Sequence, residues 1–341
     1  MALNTPFIGE MLSPNDRSRD TAAHLLPASI RSLQHGLVRP TDDTESFLQK
    51  DLCVDKLNKI DQYLWLAGRP MPPRPLNYQI ATSREIVVDE RIDMHLVWEY
   101  SRRLHLKPIP RYLLSPKFWE SHLLTCMKSC CVPQRSQHYP DVSVPISTTK
   151  CTKELYKCAC GFLLSYLALI QFECDLAIAH TYHLLPKEIT WEKWLTFAHE
   201  LLEGEAPKPN NINSRYLFGE LRLSQLNKIY ALRYGEILRG YQFTYQTYGE
   251  LFRDYLTPIT AATIYMALVL TAMQVGLATT YLEGNPSFQN ASSGFTIFSI
   301  LGPLVGIFLV GTIGVFQFFN NLLETREFKQ KRFGQFAKGM M

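Results

Sequence analysis

Two long uncharged stretches limit what this chain can fold into more than any other feature. Residues 255–282 and 284–323 contain no Asp, Glu, Lys, Arg or His. A helix rises about 1.5 Å per residue, so a hydrocarbon core about 30 Å thick needs roughly 20 apolar residues. Both stretches exceed that length, and core helices of water-soluble domains rarely run so far without a charge. The sequence therefore predicts two transmembrane helices, 258–282 and 294–319, with a connector at 283–293. The chain has 341 residues and 46% hydrophobic content, so the part before the spans is long enough to bury a core of its own.

Charge placement orients the pair. The connector carries Glu283 and no Lys or Arg, whereas Arg326, Lys329, Lys331, Arg332 and Lys338 follow the second span against Glu324 and Glu327. Arg239 and Arg253 precede the first. The positive-inside rule then places both termini in the cytosol and the connector outside or in a lumen. Asn290-Ala291-Ser292 is a glycosylation sequon on that side, too close to the second span to be modified. No apolar signal-peptide core opens the chain, residue 2 is Ala and the last four residues are KGMM, so no secretory leader, N-myristoylation or prenylation is expected.

Small residues mark where the spans would touch. Gly302 and Gly306 form a small-xxx-small pattern, and Ala272 with Gly276 offers a matching patch on the first span. Such positions let backbones approach closely in lipid, within one hairpin or between two chains, and the hairpin is the expectation here. Gln274 and Ser299 are expected to face each other, because an unpaired amide in hydrocarbon is costly. Pro303 removes one backbone hydrogen bond and is expected to kink the second span. Tyr241, Tyr245, Tyr248, Phe252 and Tyr255 recur at spacings of four and three, on one helix face. That stripe suits either the membrane interface or a core-facing helix.

Residues 1–44, rich in Ser, Pro, Arg, Asp and Thr, are expected to be disordered. A helical cytosolic domain follows at 45–235, then an aromatic juxtamembrane helix at 236–257; a basic cytosolic tail occupies 320–341. Leu52, Leu57, Ile60 and Leu64 predict an amphipathic helix ending near Ala67-Gly68. Residues 69–75, Arg-Pro-Met-Pro-Pro-Arg-Pro, must be extended. Their spacing matches an SH3-ligand pattern, yet their place between folded elements favours a structural bend. The runs 93–98 and 104–107 predict a β-hairpin. Ser115-Pro116 starts a helix to about Cys130, and 151–184 reads as a long buried helix, with a re-entrant segment as the other reading. Thr190 caps a helix through Leu202, and another runs from Ser214 to about Arg233. The fold class is mainly α: a helical cytosolic domain with a small β-hairpin, followed by a two-helix transmembrane hairpin.

Chemistry-bearing patterns are sparse. His122, Cys126 and Cys130 share a helix face beside Cys131, but no CxxC pair or fourth zinc ligand accompanies them. Cys158-Ala-Cys160 lacks the redox spacing, and all eight cysteines are expected to be reduced thiols. His180-x-x-His183 lacks the Glu of an HExxH site, and no GxSxG, Walker loop or dinucleotide GxGxxG is present. No catalytic, cofactor-binding or metal residue is assigned, and the protein is expected not to be an enzyme. The net charge of +4 is interleaved without a basic run, so no nucleic acid is expected as partner. The expected partners are membrane lipid and a protein bound through the cytosolic domain.

The blocks LWLAGRPMPPRPL (64–76), HLKPIPRYLLSPKFW (105–119), FGELRLSQLNKIY (218–230), TAMQVGLAT (271–279) and GFTIFSILGPL (294–304) resemble a fungal membrane protein family known as a domain of unknown function. The resemblance spans roughly 45–325 and implies a fungal source and two spans, without catalytic residues. In architecture alone the chain also looks like the CorA-type magnesium channels, which implies an oligomeric channel or transport subunit. Those end the first span with Gly-Met-Asn; here Gly276-Leu-Ala and Gly284-Asn285-Pro286 stand instead.

Overall fold

The helix Thr152–Leu169 is buried along most of its length, from Leu155 to Leu169. It belongs to the first of two units of a computed structural model, Met1–Gln242 and Phe243–Met341. The structure describes residues 4–12, 24–31, 36–124, 152–204, 207–234, 241–242 and 248–338, with only the backbone for 248–255, 317, 320, 321, 324, 327, 328, 331, 332 and 334–338. At Leu169 the chain bends by 114° into Glu173–Thr181. The break is fixed by Asp175, which is fully buried and accepts hydrogen bonds from the backbone of Gln171, Phe172 and Asn77. The expected single helix over 151–184 is thus two. Cys158, Phe162 and Tyr166 lie in the core of unit 1, which argues for the buried reading over the re-entrant one.

The expected hairpin is present and belongs to a larger sheet. Strands β1 (Ile30–Arg31) and β2 (Leu37–Val38) form a separate antiparallel pair. Strands β3 (Glu85–Val88), β4 (Val97–Trp98), β5 (Arg103–Leu106) and β6 (Leu221–Arg222) are ordered β3-β5-β4-β6. Antiparallel β4–β5 pairs Val97 with His105 and Trp98 with Leu104, closed by a turn in which Arg102 adopts φ 65°. β3 joins β5 in parallel, and β6 joins β4 in parallel with Trp98 opposite Arg222. Val97 and Leu221 are buried, whereas Trp98 and Arg222 point to the open face, the period-two alternation of a half-covered sheet.

Several expectations shift. Leu52, Leu57, Ile60 and Leu64 are all fully buried, but they lie on or between a nine-residue helix, Thr44–Leu52, and three single turns, Asp55–Asn58, Asp61–Tyr63 and Leu64–Ala67, in place of one amphipathic helix. The supposedly disordered 1–44 segment contributes to the core: Phe7 is 1% exposed and meets Phe197 edge-on at 4.9 Å. Leu25 and Leu26 are buried as well. Pro116 does open a helical turn, which passes into a π-helix at Trp119–Leu123; its extension to Cys130 lies outside the described residues. The helix expected from Ser214 begins at Leu223, because Ser214–Leu217 is a 3-10 turn leading into β6. Thr190 caps Trp191–Glu203 as expected, accepting from Lys193 N.

In the second unit, helices Tyr248–Leu277 and Pro286–Lys338 pack against each other. Within them Leu256–Leu277 (22 residues) and Pro286–Phe316 (31 residues) are long and apolar enough to cross a membrane. At 1.5 Å per residue, 22 residues rise about 33 Å, close to a hydrocarbon core. The connector is shorter than expected. Asn285 Oδ1 accepts from Ser287 N and Phe288 N at 3.0 and 3.4 Å, capping a helix whose first residue is Pro286. An Asn N-cap followed by Pro is a strong start signal, and it draws the sequon at Asn290 into the helix. The helix also continues through the basic tail to Lys338.

Candidate functional site: an arginine-lined pocket

Glu220, one residue before β6, anchors a polar cluster of unit 1. Its carboxylate accepts from Arg74 Nε at 3.0 Å, Arg74 Nη2 at 2.5 Å, Arg84 Nη1 at 2.6 Å and Gln79 Nε2 at 2.7 Å. Burial would raise its pKa, but the hydrogen bonds from Arg74, Arg84 and Gln79 prevail and hold it down at about 2. Charge-assisted, bidentate pairs of this kind fix geometry as well as charge.

Two features place Glu220. Arg215, 1% exposed, donates Nη1 to the carbonyls of Phe218 and Gly219 and Nη2 to that of His95, tying the turn before β6 to the chain entering β4. Burial pushes its pKa down to about 10. Gly219 lies against the Pro-rich segment: a Cβ there would come within 2.7 Å of Met71 O and 2.9 Å of Pro73 N. The 69–75 segment is therefore a strap laid over the 219–220 backbone, which favours the bend over the SH3-ligand reading.

Strap and sheet edge enclose a pocket of about 370 Å³. Arg69 and Arg74 come from the strap, Arg84 from the turn before β3, Trp98 from β4, Glu220 and Arg222 from the entry to β6, and Trp65 from the turn before the strap. Arg84 and Arg222 lie over the Trp98 ring, 4.7 and 5.5 Å from its centroid. Arg69 and Arg222 are exposed and form no ion pair among the described residues. Four guanidinium groups thus surround one carboxylate. Sequence reasoning missed this site, because its arginines are scattered from 69 to 222 and no local spacing joins them.

Across the sheet, His105 lies between Glu99 (2.9 Å) and Asp89 (3.4 Å). Burial opposes its charge, but the two carboxylates outweigh that and raise its pKa to about 9. His95 is buried and held neutral by desolvation. Its Nδ1 accepts from Lys107 N, so Nε2–H donates to Ser165 Oγ, which in turn donates to the Phe162 carbonyl. Both histidines are structurally occupied. Burial raises the Cys160 thiol to about 12, an unreactive state; Cys126, Cys130, Cys131 and Cys151 lie outside the described residues.

The residues expected to pack the hairpin behave differently from one another. Gly306 lies under Ile259, whose Cδ1 would be 3.2 Å from an added Cβ, and Gly276 lies under the Phe288 ring at 2.9 Å. Gly302 meets only Phe298 of its own helix, and Ala272 is exposed. The expected Gln274–Ser299 pair does not form: Ser299 Oγ donates to Phe295 O at 2.7 Å in its own turn, and Gln274 is exposed. Of the aromatic stripe, Tyr241 is 3% exposed in unit 1 and donates to Asp93 O at 2.6 Å, a core position. Tyr245 and the side chains of Tyr248, Phe252 and Tyr255 lie outside the described residues.

Residues 44–303 match the model of a family of unknown function, DUF6601, and the chain belongs to that family. No curated protein and no solved structure matches it.

Proposed function

We propose that this protein is a non-enzymatic, membrane-anchored binding protein, with a mainly helical cytosolic domain tethered by a two-helix hairpin. The observation that carries the reading is the apolar surface of the hairpin helices, where Leu268 is 66% exposed and Phe308 73%. Apolar surface on this scale calls for another apolar phase around it. The helix lengths suit a bilayer, which makes lipid the natural occupant. Glu283 lies between the helices and the exposed Arg326 and Lys329 follow the second, so charge asymmetry supports cytosolic termini. Binding of a protein partner by unit 1 and a fungal source complete the reading, the latter implied by the family resemblance.

Protease protection in sealed, cytosolic-side-out microsomes tests the arrangement. Epitope tags at both ends should be digested without detergent, while a tag inserted after Gly284 should survive until the membrane is opened. Protection of either terminus would contradict it.

A further inference from the structure

We propose that the pocket between the 69–75 strap and the edge of β4–β6 binds a small phosphorylated anion, with Arg69 and Arg222 as its primary contacts. The pocket brings together four guanidinium groups, and Glu220 offsets only one of them. Arg74 and Arg84 are already oriented by Glu220, and Arg84 uses only Nη1 for this, leaving Nε and Nη2 without a hydrogen bond among the described residues. Arg222 is steadied on Trp98 and has no carboxylate partner among the described residues. Like charges held this close repel, and an anion seated among them relieves the repulsion.

The chemistry selects phosphate. A guanidinium presents a planar fork that matches phosphate oxygens bidentately, and an excess of about three positive charges suits a dianion better than a single carboxylate. The volume, about 370 Å³, lies in the range that holds small ligands. Trp65, 63% exposed at the rim, offers a ring face to whatever the phosphate carries. The bland alternative is a solvated patch in which Arg84 and Arg222 merely cover Trp98.

Titration calorimetry on the full chain in mild detergent separates the two. Inorganic pyrophosphate and glycerol 3-phosphate serve as soluble probes, and mixed micelles containing phosphatidic acid serve as the lipid arm. Saturable binding with Kd of about 1 mM or below is expected. It should weaken about tenfold or more in the R69Q/R222Q double variant, whose thermal unfolding should match the parent because both side chains are exposed. R222K, which keeps the charge and loses the fork, should fall between. Displacement of pyrophosphate by phosphatidic acid would identify a lipid headgroup as the source; its failure would identify a free phosphate ester. No saturable binding in either arm, or equal binding by the double variant, would overturn the proposal. The pocket lies wholly in unit 1, so this outcome is independent of whether the hairpin spans a membrane.

Discussion

Arg84 Nη1 lies 2.6 Å from Glu220 Oε2, a contact that joins the turn before β3 to the start of β6 across 136 residues of sequence. With Arg74 on the same carboxylate, it binds strap, helix Leu76–Ala81 and sheet edge into one body.

Glu220→Gln should therefore destabilise the protein. Arg84, 11% exposed, would lose its counter-charge in a buried setting, whereas Arg74, 38% exposed, can turn to water. Removing one partner of a fully buried pair costs about 3–5 kcal/mol, and the exposure here brings the expectation to about 2 kcal/mol. Differential scanning fluorimetry should record a loss in Tm of about 4–8 °C for a unit of this size.

The His105 cluster predicts a pH dependence. The folded pKa is raised from 6.5 to about 9, so the native state binds the proton more tightly than the unfolded chain. This stabilisation is complete below pH 6.5 and is lost as pH rises through about 9. Denaturant midpoints measured from pH 6 to 10 should fall for the parent and stay flatter for H105Q. Glu220 acts in the opposite sense at the acid end: its contribution is present above pH 4.5 and is lost as pH falls toward 2.

Gly219→Ala tests the strap. The methyl group would meet Met71 O and Pro73 N, both backbone atoms that cannot rotate away. A cost of about 1–3 kcal/mol is expected, comparable to overpacking a core. Limited proteolysis should then cut within 69–75 faster than in the parent, while G284A, with open space around it, should behave as the parent does.

Gly306→Leu should loosen the hairpin. Its side chain would press on Ile259, while Gly311→Leu on the same helix meets nothing within 4 Å. Titration with SDS, followed by far-UV circular dichroism, should show an earlier transition for G306L alone.

How much of this was visible in the sequence depended on whether the signal was local. The two helices long and apolar enough to cross a membrane were readable because helices in water-soluble cores seldom run so far without a charge. The two short apolar runs at 93–98 and 104–107 were enough to predict the hairpin that pairs Val97 with His105, and Thr190 marked its helix start. The π-turn at Trp119, the bend at Asp175 and the displaced start at Leu223 escaped because each is set by tertiary contacts. Asp175 caps Asn77 from 98 residues away, and Gly219 is shaped by the strap. Phe7 and Leu25 sat in a polar segment whose composition outweighed its few apolar anchors. Asn285-Pro286 was a legible cap, but the mainly polar residues 287–293 after it moved the expected start to Gly294.

The central claim is that the helices holding Leu256–Leu277 and Pro286–Phe316 are solvated by lipid. Extraction of membranes containing the full-length chain with alkaline carbonate tests it most directly. The chain should stay with the sedimented membranes and be released only by detergent; recovery in the carbonate supernatant would contradict the account.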